Sequence, residues 1–419
     1  LKEAHYPRIP DWFARTWAWS LGLFLLAAAT GAFMRFGLYL GFPYGLQFPD
    51  VRHAHSHLMF FGWVTPLLMA FISDLVGSRR STTFRGRWVL GVTVATALAS
   101  YPPFLLSGYG FMTVGSRELP LSMMSAGLNG LAWLLFILIY MWNTRRLRGR
   151  SQGSSSGLRL AWFDAAVLML AAATAAGAAL AYLGASGAGG GAWMNTFINL
   201  FLDIFADGWF GIGVLALAVH QLRWNGHAGP ALLAGLVAGL LLRSAGRLPG
   251  LAGPLALLEP AGSLLLGVAL AGASGALLAA AWRQRRGLWA FVLLLLLVKG
   301  LFELALAFPP AAAFVEDRGL RVLFLHAYLL GGVSVGLVTA FRHRFGALTF
   351  TPAWPLVAAI LVMLASLLPL TGLWPRSLSG GWALPVAALA SCLPIAAVLL
   401  GVLGRPGRKP GTGTVSGSG

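Results

Sequence analysis

Apolar residues in this chain fall into long, almost unbroken runs, not into the amphipathic repeats of a soluble fold. Each run reaches about 20 residues, the length an α-helix needs to cross the hydrocarbon core of a bilayer. Twelve such runs occur, at about residues 16–41, 54–77, 88–109, 119–142, 159–184, 193–221, 229–246, 255–281, 287–307, 321–341, 353–373 and 381–403. Charged and turn-forming residues gather between them. The pattern predicts an all-α polytopic membrane protein of about twelve transmembrane helices. Residues 1–404 form a single transmembrane domain, and the Gly/Pro/Ser-rich stretch 405–419 is expected to be a disordered cytoplasmic tail. The stretch 145–157, first Arg-rich and then Ser/Gly-rich, reads as a flexible linker between the fourth and fifth spans. Arg243, Arg247 and Pro249 crowd the end of the seventh.

Composition narrows the class. Of 419 residues, 58% are hydrophobic and only 10% charged, where soluble domains carry about 25% charged residues. A water-soluble globule is excluded, and so is a disordered chain, which would be rich in charge and poor in apolar residues. The net charge of +18 is not a nucleic-acid footprint, because the basic residues sit in short clusters between apolar runs. With the N-terminus placed inside, 21 of the 30 Lys and Arg fall on the inner side, eight at the outer ends, and Lys299 within a span. That asymmetry obeys the positive-inside rule and predicts both termini cytoplasmic. The one cysteine, Cys392, rules out an internal disulfide, a Cys-rich zinc site, an iron–sulfur cluster and covalent haem attachment. No cleavable signal peptide is expected, since the first run is long enough to span.

Ionisable groups within a membrane cost several kcal/mol and mark function by default. Here they concentrate in a few spans. His53, His55 and His57 stand at the outer start of the second span and His326 in the outer part of the tenth. Asn195, Asn199, Asp203 and Asp207 recur every four residues along one face of the sixth, and Lys299 and Glu303 are four apart in the ninth. Each has a plainer reading. An intramembrane His can simply tie two helices together, His53 can be solvated at the interface, and Lys299 with Glu303 can be a self-neutralising pair. Two imidazoles entering from the same side on facing helices, at matched depth, are nevertheless what a six-coordinate haem iron needs. His55 and His326 are the candidate axial ligands, with Arg35, Arg52 or Arg321 to meet the propionates. Met59, Phe60, Phe61 and Phe324 are candidate apolar walls. His53 and His57 share a helix face from which His55 points away. His57 is therefore either an alternative ligand or, with His53, half of a small outer metal site.

These residues resemble a known group. Twelve spans with His in the second and tenth resemble subunit I of the haem–copper oxidase and nitric oxide reductase superfamily, and its NnrS-like haem-protein relatives. Arg52-x-x-His55-x-x-Leu58-Met59 is similar to the superfamily's low-spin haem motif, and His55-x-His57 before Phe61-Gly62 is similar to the paired His of the NnrS-like proteins. Arg35, followed by Leu38 and Pro43, resembles the first-helix Arg beside the haem, and His326-Ala-Tyr-Leu-Leu-Gly331 resembles the segment with the second ligand. The resemblance implies a subunit-I-like bundle in a prokaryotic cytoplasmic membrane. The departures are as informative. Phe324 stands where the oxidases carry the catalytic haem's ligand, Asp203 where they carry a copper-ligand His, and the tandem His of the seventh span is replaced within Leu242–Arg247. A haem–copper centre cannot be assembled from this set.

The expectation is one haem b on His55 and His326, with electron transfer or nitric oxide-related chemistry. Asn199, Asp203, Asp207, Glu303 and Lys299 are expected to line a polar cavity where the copper site has been lost. That cavity would hold water, a proton relay or a carboxylate-bound metal, so Asp203, Asp207, Lys299 and Glu303 are the candidate catalytic groups. An additional copper or iron ion is a candidate cofactor. Lys299 is one of three lysines in a chain that otherwise uses Arg, which points to a need for a compact or deprotonatable charge. Lipid is the expected partner, with a respiratory-chain electron donor or partner subunit and no nucleic acid. Two other classes remain: a proton-coupled secondary transporter, and a cofactor-free scaffold or assembly subunit of a respiratory complex.

Overall fold

The computed structural model describes residues 8–78, 86–151, 155–185, 191–250, 253–346, 353–378 and 380–403. The tail 405–419 lies outside the described residues. Twelve helices are long and apolar enough to cross a membrane: α1 (Asp11–Leu40), α2 (Phe48–Gly77), α3 (Trp88–Ser107), α4 (Leu121–Arg148), α5 (Arg159–Gly184), α6 (Ala192–Gln221), α7 (Gly229–Gly246), α8 (Leu255–Arg283), α9 (Gly287–Leu306), α10 (Arg321–Phe345), α11 (Ala353–Leu370) and α12 (Ala383–Gly401). The protein is a multi-pass, all-α membrane protein. Every span anticipated from the hydropathy pattern is present, with ends displaced by a few residues. The main shift is at α2, which begins at Phe48 with Pro49 and Asp50 in its first turn. Both residues favour a helix start, so the three His lie one to two turns inside the helix.

The presumed linker is largely helical. The helix containing α4 runs on through the arginines to Ser151, and the next resumes at Ser155. Straight-chain Arg is a good helix former, and once outside the lipid its charge costs nothing. Between α3 and α4 a two-stranded antiparallel hairpin pairs Met112–Val114 with Arg117–Leu119. It marks one end of the bundle, the hairpin end, where α2, α6 and α10 all begin.

Those three helices form the centre. Their most apolar windows are 94%, 72% and 61% buried, against 33–50% for the other spans among the described residues. Each contains a π-helical stretch: Leu58–Val64 in α2, Ile204–Ile212 in α6 and Ala327–Ser334 in α10. A π turn inserts one extra residue and re-aims the side chains before it, and such turns gather at functional sites. The residues immediately preceding the three stretches are His57, Asp203 and His326. The three helices are also pinned to one another pairwise, at or next to these stretches. Trp63 Nε1 donates to Ser334 Oγ at 3.0 Å, Tyr328 Oη donates to the Ala206 carbonyl at 2.7 Å, and Trp209 Nε1 donates to Thr65 Oγ1 at 3.2 Å. Each bond satisfies a polar group in a place without water, where an unmet one would be costly.

Candidate functional site

A cavity of about 540 Å³ opens toward the hairpin end, walled by α1, α2, α6 and α10 with contributions from α5, α11 and α12. Its volume lies within the usual 300–1,000 Å³ or so of a small-molecule or cofactor site. Most of the wall is apolar, with Phe24, Met59, Phe60, Phe61, Phe201 and Met363 among its residues. Phe324 is not part of it: the ring stacks on Phe302 of α9 with centroids 3.9 Å apart.

His55 and His326 both line this cavity. His55 Nδ1 lies 2.7 Å from the Ala27 carbonyl of α1, and His326 Nδ1 lies 2.8 Å from the Val322 carbonyl in its own helix. A carbonyl only accepts, so in both rings Nδ1 carries the proton, and in the neutral ring Nε2 is the nitrogen with the lone pair. A neutral imidazole held this way, N–H to a backbone oxygen and the opposite nitrogen free, is the usual state of a metal-ligating His. The fit at His55 depends on Gly31, because a Cβ there would stand 2.8 Å from His55 Cε1. Sequence pattern alone had singled out both His. It had missed Gly31, whose role becomes visible only when α1 and α2 are laid side by side.

The third cavity feature is a charge. Arg35 is 8% exposed and lines the cavity, and its guanidinium donates to Ser391 Oγ of α12. Among the described residues no carboxylate forms an ion pair with it. A buried guanidinium satisfied only by a neutral hydroxyl is expensive unless an anion joins it. Arg52 is exposed at the cavity mouth, with its guanidinium 5.8 Å from the Phe48 ring centroid. Arg321 is exposed at the start of α10.

His53 and His57 also line the cavity, but their rings pack toward α3 and the segment after it. The His57 ring packs on Phe104 with centroids 3.7 Å apart, its Nε2 is 3.3 Å from Tyr109 Oη, and His53 meets the same Tyr109 ring edge-on at 4.7 Å. The rings have different neighbours: His55 meets α1 at the Ala27 carbonyl, while His53 and His57 meet Tyr109 and Phe104. Among the described residues no group of three or more His, Cys, Asp or Glu is arranged to hold a metal ion.

The acidic stripe of α6 differs from expectation. None of Asp203, Asp207, Lys299 and Glu303 lines the cavity. In place of an open polar pocket there is a closed ion-pair network centred on Arg243 of α7. Arg243 binds Glu303 at 2.6 Å and Asp207 at 2.7 Å, and lies 3.6 Å from Asp203. Lys299 bridges Glu303 and Asp207, and Arg247 joins Asp203 to Glu259 of α8. Asn199 makes no side-chain hydrogen bond to this network. The anticipated cavity is thus filled by the very arginines that crowded the end of the seventh span. They were counted among outer-end charges, yet Arg243 is 3% exposed. Its helix comes this close because α8 offers a glycine: a Cβ on Gly262 would lie 2.2 Å from the Arg243 backbone nitrogen.

No protein-family model matches the chain, and no curated protein sequence matches it.

Proposed function

We propose that the protein is an integral membrane redox protein that binds one b-type haem between His55 and His326. The observation that carries this reading is the pairing of two imidazoles with one cavity. Each ring has Nδ1–H tied to a backbone carbonyl and Nε2 left free, and a buried, carboxylate-free Arg35 lies in the same wall. A porphyrin has matching parts: an iron with two axial positions, apolar faces, and carboxylates at one edge. Arg35, with Arg52 at the mouth, would take the carboxylates, and Met59, Phe60 and Phe61 would shield the faces from water. Attachment would be non-covalent, since Cys392 is the only cysteine.

Bound there, haem would supply one-electron oxidation and reduction. What the chain supplies is confinement. The carbonyls of Ala27 and Val322 fix both imidazoles in the ligating tautomer, so electron gain requires little rearrangement. With both imidazoles engaged, the site would suit electron transfer more than nitric oxide chemistry. The transporter reading loses its main support, because every carboxylate of the α6–α9 cluster is engaged by Arg or Lys. By the positive-inside rule, the surplus of arginine on the loops opposite the hairpin supports a hairpin end, and so a cavity mouth, outside a cytoplasmic membrane.

Absorption spectroscopy of detergent-purified protein tests this. A Soret band with sharp α and β bands on reduction, and close to one protohaem per chain, is expected. A colourless, monodisperse preparation that stays colourless when haemin is added would overturn the reading and return the scaffold class to favour.

A further inference from the structure

Two turns at the end opposite the hairpin share one construction. α6 closes into Gln221-Leu222-Arg223-Trp224, and α8 into Arg283-Gln284-Arg285-Arg286. In the first, the Trp224 N–H bonds back five residues to the Val219 carbonyl at 3.0 Å. In the second, the Arg286 N–H bonds back five residues to the Ala281 carbonyl at 2.8 Å. A helix closed this way puts the residue before the last donor in the left-handed region, and that residue is usually glycine. Here it is arginine both times, with φ 52° at Arg223 and 54° at Arg285. Among the described residues only Tyr44 shares such a φ without being glycine. A side chain held so is strained. The chain has 54 glycines, so their absence from both caps does not follow from composition.

The two turns lie side by side. Gln284 Nε2 donates to the Leu222 carbonyl at 2.8 Å, and Arg223 and Arg286 are both within electrostatic reach of His343 at the end of α10. Arg223, Arg283, Arg285 and Arg286 are all exposed, and among the described residues none of them pairs with a carboxylate. Asp74 of α2, which meets this end of α10, is bound to Arg344 at 2.8 Å. The depth of the cluster is marked by tryptophan. Trp282, next to Arg283, is 77% exposed, and Trp354 of α11, which stands beside Gly287, is 55% exposed. Exposed tryptophans of membrane proteins gather at the level of the lipid head groups. The arginines begin one residue beyond Trp282, at the depth of lipid phosphates.

We propose that the paired α6–α7 and α8–α9 turns bind the phosphate of an anionic phospholipid, with Arg223 and Arg285 as its main contacts. A guanidinium fork matches a phosphate's oxygens, and basic pockets between helix ends take acidic head groups. Glycine in either cap would relax the backbone but remove the cation, so the strain persists where a cation is needed. The tryptophan level favours a lipid over an acidic protein, whose carboxylates would arrive from water. This inference is independent of the haem reading.

Thermal melting of the purified protein in neutral detergent, titrated with dioleoylphosphatidylglycerol, tests it. A saturable rise in melting temperature is expected with this lipid and none with phosphatidylcholine or inorganic phosphate. Arg223→Gly combined with Arg285→Gly should move two readings in opposite directions. Melting in lipid-free detergent rises, because glycine relieves both left-handed residues. The phosphatidylglycerol concentration for half the lipid-induced rise increases about 25-fold, at about fivefold per arginine. Arg145→Gln with Arg146→Gln removes the same charge from exposed positions at the same end of the bundle, and should leave the titration unchanged. If this control weakens binding as much as the glycine pair, the whole basic face attracts the lipid and the proposal fails. It also fails if the glycine pair binds phosphatidylglycerol like the parent, or melts below the parent without lipid. If poly-glutamate raises the melting temperature and phosphatidylglycerol does not, the surface takes an acidic protein and the lipid site is overturned.

Discussion

His326→Ala protein is expected to lose its six-coordinate spectrum: the sharp reduced α and β bands collapse while the protein stays monodisperse. The same holds for His55→Ala, and in both variants added imidazole should restore the parent bands by entering the vacated space. The large effect follows from the geometry. Each ring is held by a single carbonyl, at Ala27 or Val322, while His53 and His57, which also line the cavity, pack against Tyr109. His57→Ala should leave the bands in place, because that ring packs on Phe104 and faces Tyr109. A companion change acts on the ligand without touching it. Gly31→Val puts side-chain atoms where His55 Cε1 now lies, and displacing a ligating ring in this manner is expected to lower haem affinity about 10–100-fold. Parent-like spectra in both His326→Ala and His55→Ala would remove the basis of the account.

Arg243→Met is expected to be the most destabilising single change in the membrane core. The substitution keeps the apolar stem and removes the cation that binds Asp207 and Glu303. Stranding buried carboxylates in this way costs about 3–5 kcal/mol, read as a lower melting temperature in detergent and reduced recovery of folded protein. Combining it with Asp207→Asn and Glu303→Gln should recover most of the loss, because the uncompensated charges disappear along with their partner. The rescue is the diagnostic part. If the triple variant turns out less stable than Arg243→Met alone, the carboxylates contribute something other than charge balance. If Arg243→Met melts like the parent, the network is not a structural tie between α6, α7 and α9.

How much of this was legible beforehand follows from the range of each interaction. Spans are read from composition within about 20 residues, so all twelve were visible. The separation of His55 from His53 and His57 is also local, since helical geometry places neighbouring residues on different faces. What the sequence hid depends on contacts between distant segments. The partner of the α6 carboxylates is Arg243, 36 residues beyond Asp207, and from the sequence it looked like one more charge at a helix end. The hydroxyl that meets Arg35 is Ser391, 356 residues away. Nothing near either residue announces the pairing. The three π-helical stretches were equally invisible, because an extra residue in a helical turn leaves no trace in hydropathy. The helical run through Arg145–Ser151 was misread for the opposite reason: charge and Ser/Gly content suggested a linker, while the intrinsic helix preference of Arg carried α4 onward.

The central claim is that two imidazoles grip one iron, and low-temperature electron paramagnetic resonance of the ferric protein reads that directly. The account predicts a low-spin signal of the bis-imidazole type that is lost, or turns high-spin, on His55→Ala or His326→Ala substitution. A high-spin signal in the parent protein, or a low-spin signal indifferent to both substitutions, would contradict it.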